Sequence, residues 1–153
     1  LIRSFIGLVP AIILTSPLFG VSILKLGLPL LILFLSLYIF GITLGLFVSS
    51  GLMRFGPSFE NIAWSSLFLL APLGCIYYPI EILPDFFQII AKGLPLVYIF
   101  DETRNILLNG FVNYENIRQA YLLNLIYLIF GIGLFYLSFL RARIKGTLIN
   151  MGE

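Results

Sequence analysis

The sequence has no histidine, a single cysteine and few charges, and each shortage closes off chemistry. Without histidine there is no HExxH zinc site, no Ser-His-Asp triad and no Cys-His pair. Membrane proteases with a Glu-Glu-x-x-x-Arg motif, suggested by Glu102 and Arg104, need histidines as well. The lone Cys75 allows neither an internal disulfide nor a CxxC pair, and its place inside an apolar run assigns it to packing. A GxxxxGK(S/T) loop is missing, so ATP is not bound here by that route. Charged residues make up only 10% of the 153, against about 25% in soluble domains. A soluble bundle needs a solvated face on every helix, and this composition cannot supply one. A net charge of +2, with no extended basic stripe, also argues against a nucleic-acid partner.

What is present is hydrophobic: 60% of the chain, with 16% aromatic. The expected class is an all-α, polytopic membrane bundle forming one module of residues 1–153. The first span is residues 5–24, uncharged between Arg3 and Lys25 and about long enough for ~30 Å of hydrocarbon. Its twelve Leu, Ile, Val and Phe residues favour insertion by roughly 4 to 7 kcal/mol as an upper figure. Pro10 and Pro17 predict a kink, which a membrane helix tolerates. Its length, and the lack of an Ala-x-Ala site, make it a poor secretory signal. Leu1 in place of a methionine, so close to a span, reads as the start of a fragment.

After a tight return at Lys25–Gly27, the second span covers residues 27–53 and must tilt, kink or project to fit. Gly41, Gly45 and Ser49 make a small-residue strip on one face, suited to close helix packing within the protomer or between protomers. RFGPSFEN follows, with turn chemistry at Gly56–Ser58 and Ser58 placed to cap a helix starting near Phe59. Arg54 and Glu60 flank that turn and suit either anchoring at the membrane surface or contact with an ATP-binding subunit. The third span is residues 61–80, with Trp64 near one interface, Tyr77 and Tyr78 near the other, and Pro72 and Gly74 weakening it halfway. The last span, residues 118–140, lies between Arg118 and Arg141, and its Asn124 is expected to bond to a neighbouring helix.

Between the last two spans lie two pieces too short to cross a bilayer, residues 84–92 and 96–108. The first has Pro84 at its start and Gly93 just past its end, where a positive φ is easiest. In the second, Leu96, Ile99, Phe100, Thr103, Ile106 and Leu107 fall on one helical face, and Asp101, Glu102, Arg104 and Asn105 on the other. These charges suit a solvated face, or a site for gating or subunit contact. Four spans put both chain ends on one side, together with Arg3, Arg54, Arg141, Arg143 and Lys145. Lys25, Lys92, Arg104 and Arg118 fall on the other. The compact basic tail after the last span places both ends in the cytoplasm, with the acid-rich insert outside.

The order of these features resembles the type-2 ATP-binding-cassette (ABC) exporter permeases. The residues that carry the resemblance are Arg54, Pro72, Gly74, Tyr78-Pro79, Leu83-Pro84, Leu94-Pro95-Leu96, Arg104 and Gly110. The resemblance implies that these are the last four of six spans, with a re-entrant hairpin on the outer side. It also implies a translocation path and outer gate near Pro72, Gly74, Tyr77, Tyr78 and Pro79, and re-entrant charges at Asp101, Glu102 and Arg104. A second permease copy and a separate ATP-binding cassette subunit are the partners expected within the lipid bilayer. No cofactor or metal is expected on this chain, with ATP held by the partner subunit. The alternative functions are a non-transporting membrane anchoring or assembly subunit, and an intramembrane enzyme limited to Asp101, Glu102, Glu81 and Asp85 for its catalytic group.

Overall fold

The computed structural model describes residues 27–145, so the expected span 5–24 and residues 146–153 beyond the basic tail lie outside the described part. Five α-helices and one 3₁₀ turn make up the described residues: α1 (Gly27–Phe55), α2 (Phe59–Leu73), the turn Ile80–Ile82, α3 (Asp85–Lys92), α4 (Pro95–Asn109) and α5 (Tyr114–Lys145). Two of them, Gly27–Phe55 and Tyr114–Ile144, are long and apolar enough to cross a membrane.

α1 and α5 are the frame. Pairs of touching residues recur along them in the same order: the Tyr121 hydroxyl donates to the Ile32 carbonyl, Asn124 bonds to Ser36, and Ser138 bonds to Ser50. Increasing numbers on one helix therefore meet increasing numbers on the other, and the two run parallel. Ser36, Thr43 and Ser50 are spaced by seven, as are Asn124, Gly131 and Ser138, and all six are buried. Leu33 and Phe40 fill alternate positions of the same stripe. A seven-residue period keeps one seam facing its partner along a slightly underwound helix pair. Small residues let the backbones approach, so a Cβ added at Gly131 would stand 3.6 Å from both Thr43 Cγ2 and Leu46 Cβ.

A parallel pair requires the chain to travel back in between, and α2 does this. α1 stops at Gly56, whose φ of 76° forms a left-handed cap, and Phe59 at the start of α2 folds over Gly51. Ser58 precedes α2 as expected but makes no side-chain capping bond. α2 has 15 residues, a rise of about 22 Å, and ends at Leu73 rather than continuing to Ile80. Part of the reason is local. Pro72 weakens the last turn, and Cys75 then adopts φ 53°, with Cys75 N–H reaching the Pro72 carbonyl and Ile76 N–H the Ala71 carbonyl. These two bonds form the Schellman helix stop.

α3 and α4 form a hairpin beside the frame. Pro84 precedes α3, and its carbonyl accepts from the N–H groups of Phe87 and Gln88. The helix starts with Asp85 and ends with Lys92, the charge order that its macrodipole favours. Gly93, expected in the left-handed region, instead has φ −76°, because the chain leaves α3 through an ordinary turn into extended Leu94 and on to Pro95 at the start of α4. Tyr127 donates its hydroxyl to the Gly93 carbonyl at 3.0 Å. Tyr127 stands about 14 Å further along α5 than Arg118. From that level α4 returns toward the start of α5, packing Ile99 and Ile106 against Leu33 and Ala120. It stops at Gly110, with φ 70°.

Candidate functional site

The polar centre of the molecule forms where α4 meets the start of α5 and the end of α2. Glu102 is 0% exposed. One carboxylate oxygen accepts the backbone N–H of Asn113 at 2.6 Å, and the other accepts the Asn116 side-chain amide at 3.0 Å. Asn113 in turn caps α5, its side-chain oxygen taking the Glu115 N–H at 3.0 Å. The Glu102 carboxylate thus sits at the positive end of a long helix dipole, with donors on both oxygens, an arrangement that offsets the cost of burying its charge.

Glu102 therefore does not lie on a solvated face. Pro95, Ile99, Glu102 and Ile106 share one buried stripe, while Leu107 is exposed. The stripe of α4 is rotated from the face chosen on hydrophobicity alone, because α5 supplies hydrogen-bond donors opposite Glu102. Asp101 and Arg104 form the intrahelical pair at 3.6 Å that their spacing allowed. Arg104 also reaches out of its helix. Its Nη1 donates to the Cys75 carbonyl at 2.9 Å, across 29 residues of sequence.

The expected gate residues are gathered at this junction. The Pro72 carbonyl accepts the Tyr78 hydroxyl at 2.8 Å, so the segment after α2 folds back on its own last turn. Gly74 is held closely by α4, where an added Cβ would come within 2.8 Å of Leu96 Cδ1. Cys75 packs with Ala91 and Val97, bordered by Tyr78, Ile80, Leu83 and Leu94. Tyr77 points away, 82% exposed, and Pro79 leads into the 3₁₀ turn.

Arg54 and Glu60 lie at the opposite end of α2, both exposed, with the Arg54 guanidinium over the Phe55 ring. Gly41 and Gly45 have no heavy atom within 4 Å of where a Cβ would stand, so no described residue packs on that part of the strip, and Ser49 is half-buried. A neighbouring helix packs instead at Gly131, in ordinary contact on the seam with Thr43. Asn124 bonds to the neighbouring helix, its amide donating to both the Ser36 carbonyl and hydroxyl at 2.8 Å.

Sequence reasoning passed over Asn113, Asn116, Ser36, Ser50 and Ser138. Asn113 had a local signal, an Asn two residues before Glu115 at a helix start, and the serines had their spacing of seven. Asn116 had none, since its role depends on a partner fourteen residues away. No group of acidic or cysteine side chains among the described residues could hold a metal ion. The chemistry available is charge burial, hydrogen bonding and backbone constraint. Comparison of the chain with family models, curated proteins and solved structures gives no match.

Proposed function

We propose that the chain is the membrane-spanning part of an ATP-driven exporter permease of the type-2 ABC kind. It would move an amphipathic, lipid-like, drug-like or polysaccharide cargo outward, paired with a second permease copy and driven by separate ATP-binding subunits. The membrane part of this reading draws support from burial. In the most apolar stretches of α1 and α5 only 22% and 17% of residues are buried, whereas a soluble core helix of that composition would be mostly covered. Hydrocarbon is the solvent that tolerates the remaining surface.

One observation carries the permease reading further: Tyr127 holding the Gly93 carbonyl. On this reading α5 crosses between Arg118 and Arg141, and Gly93, held about 14 Å along it from Arg118, would lie inside the apolar layer with the exposed Lys92 beside it reaching back toward the interface. α3 and α4 would then descend and return from one face, as a re-entrant hairpin does. Non-helical backbone at such depth is tolerated only where protein covers it or it lines a cavity, and the Tyr127 hydroxyl supplies a donor the carbonyl would otherwise lack. The hairpin meets the broken end of α2, and a break between two rigid helical bodies is a place where a path can open and close. ATP binding would drive that change only through contacts made in one of the two arrangements.

The test is purification of the full-length protein from native membranes. Copurification with an ATPase carrying a GxxxxGK(S/T) loop, and efflux that stops on ATP depletion, are the expected results. Stable isolation with no such partner, together with ATP-independent efflux, would overturn the assignment.

A further inference from the structure

The end of α2 is held in a conformation it would not choose alone. Cys75 is the one described residue other than glycine with a positive φ, 53°. The Cβ of an L-residue crowds the following carbonyl oxygen there, which makes that region unfavourable. Glycine is adjacent at position 74, yet Gly74 has an ordinary φ of −77°, because its lack of a side chain is spent on the approach of Leu96. No proline separates Gly74 from Tyr78, so residues 74–77 could continue as helix up to the boundary that Pro79 imposes. A helix continuing to residue 80, though weakened at Pro72 and Gly74, is what the apolar pattern of residues 61–80 predicts.

Arg104 opposes it. Its Nη1 donates to the carbonyl of the strained residue itself, at 2.9 Å. Its Nη2 is buried with no hydrogen-bond partner, 3.6 Å from the nearer Asp101 oxygen. The Cys75 carbonyl is thus the one hydrogen-bond acceptor engaged by this guanidinium among the described residues. The bond joins α4 to the α2 junction, two elements otherwise linked there by the Gly74–Leu96 approach and the small Cys75–Ala91–Val97 cluster.

We propose that Arg104 is a clasp: its bond to the Cys75 carbonyl keeps α2 broken at residue 75, and when it lets go the junction 74–78 leaves α4 and relaxes toward helix. The clasp stands on the geometry alone. Its use as the hold on a transport gate rests on the exporter reading above.

Cys75 reports on its own release, being the only cysteine of the sequence and 0% exposed. Its thiol reacts in proportion to the population of the open form. Full-length protein in native membranes is treated with membrane-permeant N-ethylmaleimide, and alkylation at position 75 is followed by peptide mass spectrometry. Arg104→Ala is expected to raise the rate at least about tenfold, the scale of a lost charge-assisted hydrogen bond. Arg104→Lys should give a smaller rise, because an ammonium can still reach the carbonyl. The same series is repeated with Ala120→Cys, which puts a thiol in the buried core of α5, and that thiol is expected to stay protected throughout. An unchanged rate at Cys75 in Arg104→Ala overturns the clasp. So does equal exposure of both thiols, which marks general unfolding rather than local release. A rise confined to Cys75 in a protein with no ATP-dependent efflux would keep the clasp and remove its role in transport.

Discussion

The seam between α1 and α5 and the junction of α2, α4 and α5 hold the protein together in opposite ways. The seam is regular and redundant. Three polar or small pairs recur at a spacing of seven, and each repeats the same contact between the same two helices. The junction is irregular and singular. One carboxylate, one guanidinium, one amide and one strained residue each make bonds that nothing nearby duplicates. A repeated contact suits a fixed frame. A set of single contacts suits a place that changes.

The sharpest way to break this comparison is at Glu102. Glu102→Leu leaves the Asn113 N–H without its acceptor and the Asn116 amide with only a long 3.5 Å bond to Asp101, and should cost about 2 kcal/mol or more of stability. Reversible unfolding in mixed micelles would measure it, and Glu102→Gln should lose roughly half as much, since one amide oxygen can still accept. Next is Gly131→Leu, which forces bulk into the seam against Thr43 and Leu46 and should cost about 1 to 3 kcal/mol. Redundancy predicts less for a single polar pair. A double-mutant cycle of Ser50→Ala with Ser138→Ala should give a coupling of about 0.6 kcal/mol. The smallest effect belongs to Gly41→Leu, expected within about 0.5 kcal/mol in the same assay, because nothing described lies against that glycine. A large loss there would show that the strip, and not only the seam, packs a helix.

These regions also differ in how far the sequence discloses them. The helix ends near Phe55 and Lys92 follow from Gly56 with Pro57 and Gly93 with Pro95, and the end near Asn109 from Gly110 alone, since such punctuation acts within a few residues. The long apolar runs of α1 and α5 were equally plain, and Asn124 was rightly expected to bond across helices. Choosing which small residues face a partner was harder. Gly41, Gly45 and Ser49 repeat every four residues, and Ser36, Thr43 and Ser50 every seven, on one helix, and only the partner's own period selects between them. The stop of α2 at Leu73 was half visible. Pro72 and Gly74 announce weakness, but the left-handed residue is Cys75, placed there by contacts with α4. Glu102 was the hardest, because a carboxylate is buried only where donors converge, and its donors come from the turn into another helix.

The central claim is that hydrocarbon surrounds α1 and α5 and that the α3–α4 turn reaches into the same layer. Single spin labels at Lys92→Cys, Ile129→Cys and Phe111→Cys, all exposed positions, can be read for collisions with oxygen and with an aqueous nickel chelate in vesicles, Cys75 staying protected by burial. The account predicts high oxygen and low nickel access at 129, at least as much oxygen access at 92 as at 111, and nickel access greatest at 111. Nickel access at 92 and 129 equal to that at 111 would place both helices and hairpin in water and contradict it.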